Sequence, residues 1–146
     1  MHKVGIACSA FDLLHAGHML MLKDCKEYCN YLIAGLQVDP SVTDISYRGK
    51  IKNPPVMSLK ERLIILEGVK YIDEIFIYTT EEDLHQRLKE IFHHVRILGS
   101  DWEGKYATGQ EFAKKIVYHE RKHNYSTTEL RERVWEAENY RRDTYN

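Results

Sequence analysis

Short apolar runs that alternate with stretches of helical spacing restrict what this chain can fold into. The runs are Lys3–Ser9 (KVGIACS), Tyr31–Gln37 (YLIAGLQ), Glu74–Tyr78 (EIFIY), Val95–Leu98 (VRIL) and Ile116–His119 (IVYH). Each is nearly continuous, and a strand carries such a run where both of its faces are buried. Helical patterns separate them at His18–Asn30, Ser58–Lys70, Glu81–Phe92 and Gly109–Lys115, with a last helix over Thr127–Tyr140. In the first of these, His18, Leu22, Cys25 and Cys29 form one stripe. Ser58 and Glu61 have the spacing of a capping box, and Ser126 precedes the last helix as its cap. Strands separated by helices predict a five-stranded parallel sheet between two helical layers, an α/β/α domain spanning residues 1–146.

Composition excludes several function classes. With 43% apolar residues the chain can bury a core. No apolar run approaches the roughly 20 residues of a membrane-spanning helix. A net charge of −1 argues against binding nucleic acid through bulk positive charge. Cys8, Cys25 and Cys29 are odd in number and crowded into the first fifth of the chain, which fits a reducing, cytoplasmic setting better than a disulfide framework. The opening Met1-His2-Lys3-Val4-Gly5 has no apolar signal-peptide core.

Parallel α/β sheets bind ligands at the carboxyl ends of their strands, which directs attention to the segments after Ser9, Gln37, Leu98 and His119. The first is Ser9-Ala10-Phe11-Asp12-Leu13-Leu14-His15-Ala16-Gly17-His18. Two His at the mouth of a helix suit an anion, because free N–H groups and the positive dipole end lie there. A cap and a packed ring account for the same two residues without a ligand. A zinc site from His15, His18, Cys25 and Cys29 is a third reading, opposed by the position of both Cys on the buried stripe. The loop Asp39–Val56 carries Arg48, Lys50 and Lys52 with no acid between them, either a solvated loop or a clamp on polyphosphate. After Leu98 comes Gly99-Ser100-Asp101-Trp102-Glu103-Gly104-Lys105, whose Trp is either a core plug or a wall for a flat ligand. After His119 comes Arg121-Lys122-His123-Asn124-Tyr125-Ser126-Thr127-Thr128, where a cap explains Ser126 but not all three hydroxyls.

Order and spacing make these signals specific together. From Lys3 to about Arg133 the chain resembles the cytidylyltransferases of the nucleotidyltransferase superfamily. Phe11-Asp12-Leu13-Leu14-His15-Ala16-Gly17-His18 matches their F-D-L-L and H-x-G-H, and Arg62 matches an Arg of their second helix. Lys70-Tyr71-Ile72-Asp73-Glu74 resembles R-Y-V-D-E, and Arg121-x4-Ser126-Thr127-Thr128 matches R-x4-S-T-T. Asp101-Trp102-Glu103-Gly104-Lys105 is similar to the D-W-E-G-K loop of the branch that acts on glycerol 3-phosphate.

The resemblance implies a Rossmann-like fold and attack of a substrate phosphate oxygen on the α-phosphorus of CTP. It implies catalytic roles for His15, His18, Lys50, Lys52 and Arg121, with Arg48 as a substitute cation. Nucleotide contacts would come from Ser9, Ala10, Phe11, Gly17, Asp101, Trp102, Ser126, Thr127 and Thr128. Acceptor contacts would come from Asp12, Arg62, Lys70 and Asp73. Mg²⁺ would bridge phosphate oxygens without a dedicated protein ligand, and a homodimer is implied. Two departures stand out: Ser9-Ala10 occupies the place of the family's Gly-Thr, and Lys70 that of an Arg. Other acceptors (phosphocholine, phosphoethanolamine, a phosphonate), ATP with a sugar phosphate, and a nucleotide-binding regulator without turnover are the alternatives.

Overall fold

In the computed structural model, which describes residues 3–43 and 52–145, the five apolar runs are five parallel strands: β1 (Val4–Ser9), β2 (Tyr31–Gln37), β3 (Glu74–Tyr78), β4 (Val95–Gly99) and β5 (Lys115–His119). Their order across the sheet is β3-β2-β1-β4-β5. The helices are α1 (Ala16–Cys25), α2 (Pro40–Thr43), α3 (Leu59–Glu67), α4 (Glu81–Glu90) and α5 (Thr127–Tyr145).

Two apolar layers follow from the burial of both sheet faces. On one side Ala7, Leu32, Ala34 and Leu36 pack with Leu22 and Cys25 of α1 and Leu66 of α3. On the other, Ile6, Ile33, Phe76 and Tyr78 pack with Leu84 and Leu88 of α4. The three-layer arrangement is the expected one.

Local signals set most element ends. Ser58 and Glu61 form a reciprocal capping box at α3 (Glu61 N to Ser58 Oγ, 3.1 Å; Ser58 N to Glu61 Oε1, 3.1 Å). Ser126 Oγ accepts the Glu129 N–H at 3.1 Å and caps α5. Three helical segments differ from expectation. Helix α1 starts two residues early at Ala16, because His15 caps it, and ends at Cys25 in successive tight turns (Glu27 N to Asp24 O, 2.9 Å; Tyr28 N to Cys25 O, 3.0 Å). The helix expected over Gly109–Lys115 is only a 3₁₀ turn, Gln110–Phe112. Gly109 is left-handed there (φ 74°) and Lys115 already pairs in β5. Helix α5 continues to Tyr145.

Topology then positions the site. The chain steps outward from β1 to β2 and β3, then returns to place β4 on the other side of β1. Such a reversal leaves a crevice at the carboxyl ends of the two central strands. β1 and β4 pair at Gly5–Val95 and Ile6–Arg96. Beyond that register Ala7–Ser9 and Ile97–Gly99 line a cavity.

Candidate active site

His15 and His18 close the start of α1 by a reciprocal cap. Gly17 N–H donates to His15 Nδ1 at 3.0 Å, and His15 N–H donates to His18 Nδ1 at 3.1 Å. The spacing that a Ser-x-x-Glu box uses is here occupied by two imidazoles. The chemical consequence is specific. A nitrogen that accepts an N–H holds no proton, so each neutral ring carries its proton on Nε2. His15 Nε2 lies 3.2 Å from Thr127 Oγ1. His123 repeats the pattern, its Nδ1 accepting the Tyr125 N–H at 3.1 Å. Three imidazoles are thus set as Nε2–H donors by main-chain contacts.

Burial and neighbouring cations favour the neutral form of His15 and His18. Burial pushes His18 down to about 4, His15 and Arg121 push the same way, and Asp12 opposes them. His15 is also lowered, by burial first and then by His123 and Arg121. Protonating either ring on Nδ1 would also break a cap.

Gly17 is required by close approach. A Cβ there would lie 2.8 Å from Cε1 of both His123 and His15. The segment ahead of the cap is strained, with Phe11 (φ 49°) and Leu13 (φ 50°) both left-handed. Asp12 between them is tied down: its two carboxylate oxygens accept the N–H groups of Val56 (2.8 Å) and Met57 (2.9 Å).

These groups surround one cavity of about 520 Å³, lined by His15, Gly17, His18, Arg121, His123, Ser126 and Thr127 among others. The N-termini of α1 and α5 both open onto it, which suits a polyanion. A second cavity of about 370 Å³ adjoins it, with Cys8, Tyr78, Glu81, Arg96, Trp102 and Thr108 in its lining and Lys52 at its edge. Ser9, Met21, Gly99, Asp101 and His119 line both. Volumes of this order suit small ligands.

Of the expected residues, His15, His18, Gly17, Arg121, Ser126, Thr127, Ser9, Ala10, Asp101, Trp102 and Lys52 line one or both cavities. Thr128 lies one position further into α5 and lines neither. Arg48 and Lys50 lie outside the described residues.

Five expectations meet a different placement, Asp12 among them, since it lines neither cavity and both its oxygens accept main-chain N–H groups. Phe11 is 2% exposed and packs in the core, its ring centroid 6.1 Å from that of His18. Arg62, expected at the acceptor, is 3% exposed and donates to four main-chain oxygens: Met57 (3.1 Å), Ala10 (3.0 Å), Gln37 (2.7 Å) and Val38 (2.6 Å). Asp73 takes Lys26 Nζ at 2.7 Å and Leu32 N–H at 2.8 Å. Lys70 stands over the Tyr71 ring at 5.3 Å. The last two line neither cavity. The zinc reading loses its thiols: burial pushes Cys25 up to about 12 and raises Cys29, and both pack in the core.

Residues that sequence reasoning passed over also line the site. His123 sits inside the expected R-x4-S-T-T segment. His119 ends β5 and holds Asp24 of α1 at 3.0 Å. Arg96 had a signal, a charge inside a run expected to be buried on both faces.

Comparison with known proteins identifies the family and the fold. A family model described as cytidylyltransferase-like matches residues 6–133. The glycerol-3-phosphate cytidylyltransferase of Bacillus subtilis (strain 168) is 31% identical over 140 residues, covering 92% of this chain and 98% of that protein. The bifunctional protein HldE of Aliarcobacter butzleri is 32% identical over 136 residues, 93% of this chain, but the chain spans only 28% of that protein's length. Among solved structures, the lipopolysaccharide core biosynthesis protein from Thermoplasma volcanium superposes with a TM-score of 0.60 at 24% identity, over 86% of this chain and all of that one. At that identity the likeness speaks for the fold.

Proposed function

The chain belongs to the cytidylyltransferase-like family, and from that premise we propose that it transfers CMP from CTP to a small phosphorylated alcohol, glycerol 3-phosphate first among the candidates. The observation that carries this reading is the set of Nε2–H imidazoles beside Arg121 at two converging helix N-termini, with a second cavity opening from the same wall.

In the proposed reaction an oxygen of the acceptor phosphate attacks the α-phosphorus of CTP. A new P–O bond forms, the bond to the bridging α–β oxygen breaks, and pyrophosphate leaves with that electron pair. A phosphate dianion needs no base, so the protein's task is positioning and charge stabilisation. His15 and His18 donate from Nε2 to the phosphate oxygens, where charge grows as the bond to pyrophosphate breaks. Arg121, Ser126 and Thr127 hold the triphosphate, and Lys52 serves the acceptor side. Asp101, which lines both cavities, and Trp102, which lines the second, are assigned to the nucleoside.

Mg²⁺ fits this scheme as an ion that arrives on the triphosphate. Among the described residues no three His, Cys, Asp or Glu side chains are grouped to hold a metal, and Asp12 already accepts two main-chain N–H groups. Bound there, Mg²⁺ would neutralise phosphate charge while keeping most of its waters. No protein ligand is assigned to it. A homodimer belongs to the same proposal and is checked by sedimentation.

The test is pyrophosphate release with Mg²⁺, CTP or ATP, and sn-glycerol 3-phosphate. Release with CTP, abolished by His15→Ala, is expected. Release with ATP alone would replace CTP as donor. CTP binding without release for any acceptor would leave a nucleotide-binding regulator. A second reading, nucleotidyl transfer to a sugar phosphate, is favoured by the likeness to HldE over 93% of the chain; the same assay with sugar phosphates separates the two.

A further inference from the structure

Arg96 is out of place in a buried strand. It is 3% exposed, yet among the described residues its guanidinium makes one hydrogen bond, Nη1 to Thr108 O at 2.8 Å, and its Nε finds no partner. Among the described residues no carboxylate forms an ion pair with it. A buried cation left so poorly matched is costly to the fold. Its position explains what it is for. Arg96 stands opposite Ile6 at the last β1–β4 pair, so it forms the floor of the cavity where the two strands part. Thr108, whose carbonyl it holds, turns its hydroxyl to Glu81 Oε2 at 2.6 Å, and Glu81 lines the same cavity. One wall therefore places an under-paired guanidinium beside the Thr108–Glu81 hydrogen bond.

We propose that Arg96, with Glu81 and Thr108, reads the hydroxyl-bearing end of the acceptor, so that the acceptor is a phosphorylated polyol or sugar and not an amino-alcohol phosphate. This rests on the transferase reading above. A hydroxyl accepts and donates at once, so it takes an N–H from Arg96 and gives its proton to Glu81. A hydroxyl that meets the guanidinium leaves its own O–H free to join the Thr108–Glu81 hydrogen bond. Trp102, Tyr78 and Glu81 alone would also suit an ammonium group. Arg96 decides against it, because an ammonium has no acceptor to offer and would bring a second positive charge against a desolvated guanidinium.

The experiment is titration calorimetry on the full chain. The ligands are sn-glycerol 3-phosphate, a pentitol phosphate, phosphocholine, phosphoethanolamine and inorganic phosphate. The polyol phosphates are expected to bind more tightly than inorganic phosphate, and the two amino-alcohol phosphates no more tightly than it. Arg96→Leu is expected to weaken the polyol phosphates by about 10- to 100-fold while CTP affinity is unchanged. Arg96→Lys keeps the buried charge without the planar fork and should weaken them in the same direction, which guards against a leucine variant that fails to fold. Equal or tighter binding of phosphocholine or phosphoethanolamine would overturn the proposal. So would polyol affinities that neither variant changes, or that do not exceed inorganic phosphate. If polyol phosphates bind through Arg96 but release no pyrophosphate from CTP or ATP, the transferase reading fails and the cavity assignment stands.

Discussion

At the scale of single residues, the site is governed by which ring nitrogen carries a proton. His18 titrates at about 4 in the fold against 6.5 for an unburied imidazole. Its folded value lies below its unfolded value, so protonation favours the unfolded chain. The stability tied to a neutral His18 is complete above about pH 6.5 and is lost as pH falls towards 4, by about 2–3 kcal/mol. His18→Gln keeps a side-chain acceptor at the third helical position, where Gln serves a capping box as well as Glu. Urea unfolding between pH 7 and pH 4 should therefore show a flatter acid limb for His18→Gln than for wild type. Parallel limbs would remove the burial argument. Gly17 is the second residue that decides. Gly17→Ala sets a methyl 2.8 Å from the His15 and His123 rings, and at least one ring must turn away. We expect kcat/KM for CTP to fall by about 10-fold or more, with a loss of stability near 1 kcal/mol. An unchanged kcat/KM would mean that ring placement there does not matter.

At the scale of elements, α1 and α5 act through their first turns. Helix α5 has no buried residue, and Val134, Trp135 and Tyr140 are exposed. Its start is held by one local cap, Glu129 N–H to Ser126 Oγ, and one long-range contact, Thr127 Oγ1 with His15 Nε2. Ser126→Ala should cost about 1 kcal/mol and fray the turn that faces the triphosphate. Hydrogen exchange at Glu129 and Leu130 should accelerate, and CTP affinity should drop while the melting temperature of the sheet domain moves little. Normal protection at Glu129 would show that the cap is dispensable. Capping signals of this kind were legible in the sequence because they span three or four residues. The Gly109–Lys115 segment differs from its helical pattern because Gly109 is left-handed and backs onto Leu88, where a Cβ would lie 2.5 Å from Cδ1, and no local pattern encodes that neighbour.

At the scale of the whole molecule, Arg62 joins the segments that border the site. Its four hydrogen bonds reach Ala10 after β1, Gln37 and Val38 at the end of β2, and Met57 ahead of α3. Arg62→Met leaves these carbonyls buried without their donor, and a loss of about 3–5 kcal/mol is expected from the denaturation midpoint. A loss below about 1 kcal/mol would show that the segments hold themselves. The resemblance pointed to Arg62 as an acceptor contact, whereas its geometry is that of a brace. The sequence by itself determined the strand and helix alternation, the caps, and the motif residues that face the cavities, because periodicity and capping act between near neighbours. Tertiary structure decided which of those residues reach the site and which support it. His15 meets Thr127 across 112 positions and Arg62 meets Ala10 across 52, and Arg96 becomes a cavity floor only because β4 returns beside β1 and then parts from it. Such contacts depend on strand order, a property of the closed sheet and not of any stretch of chain.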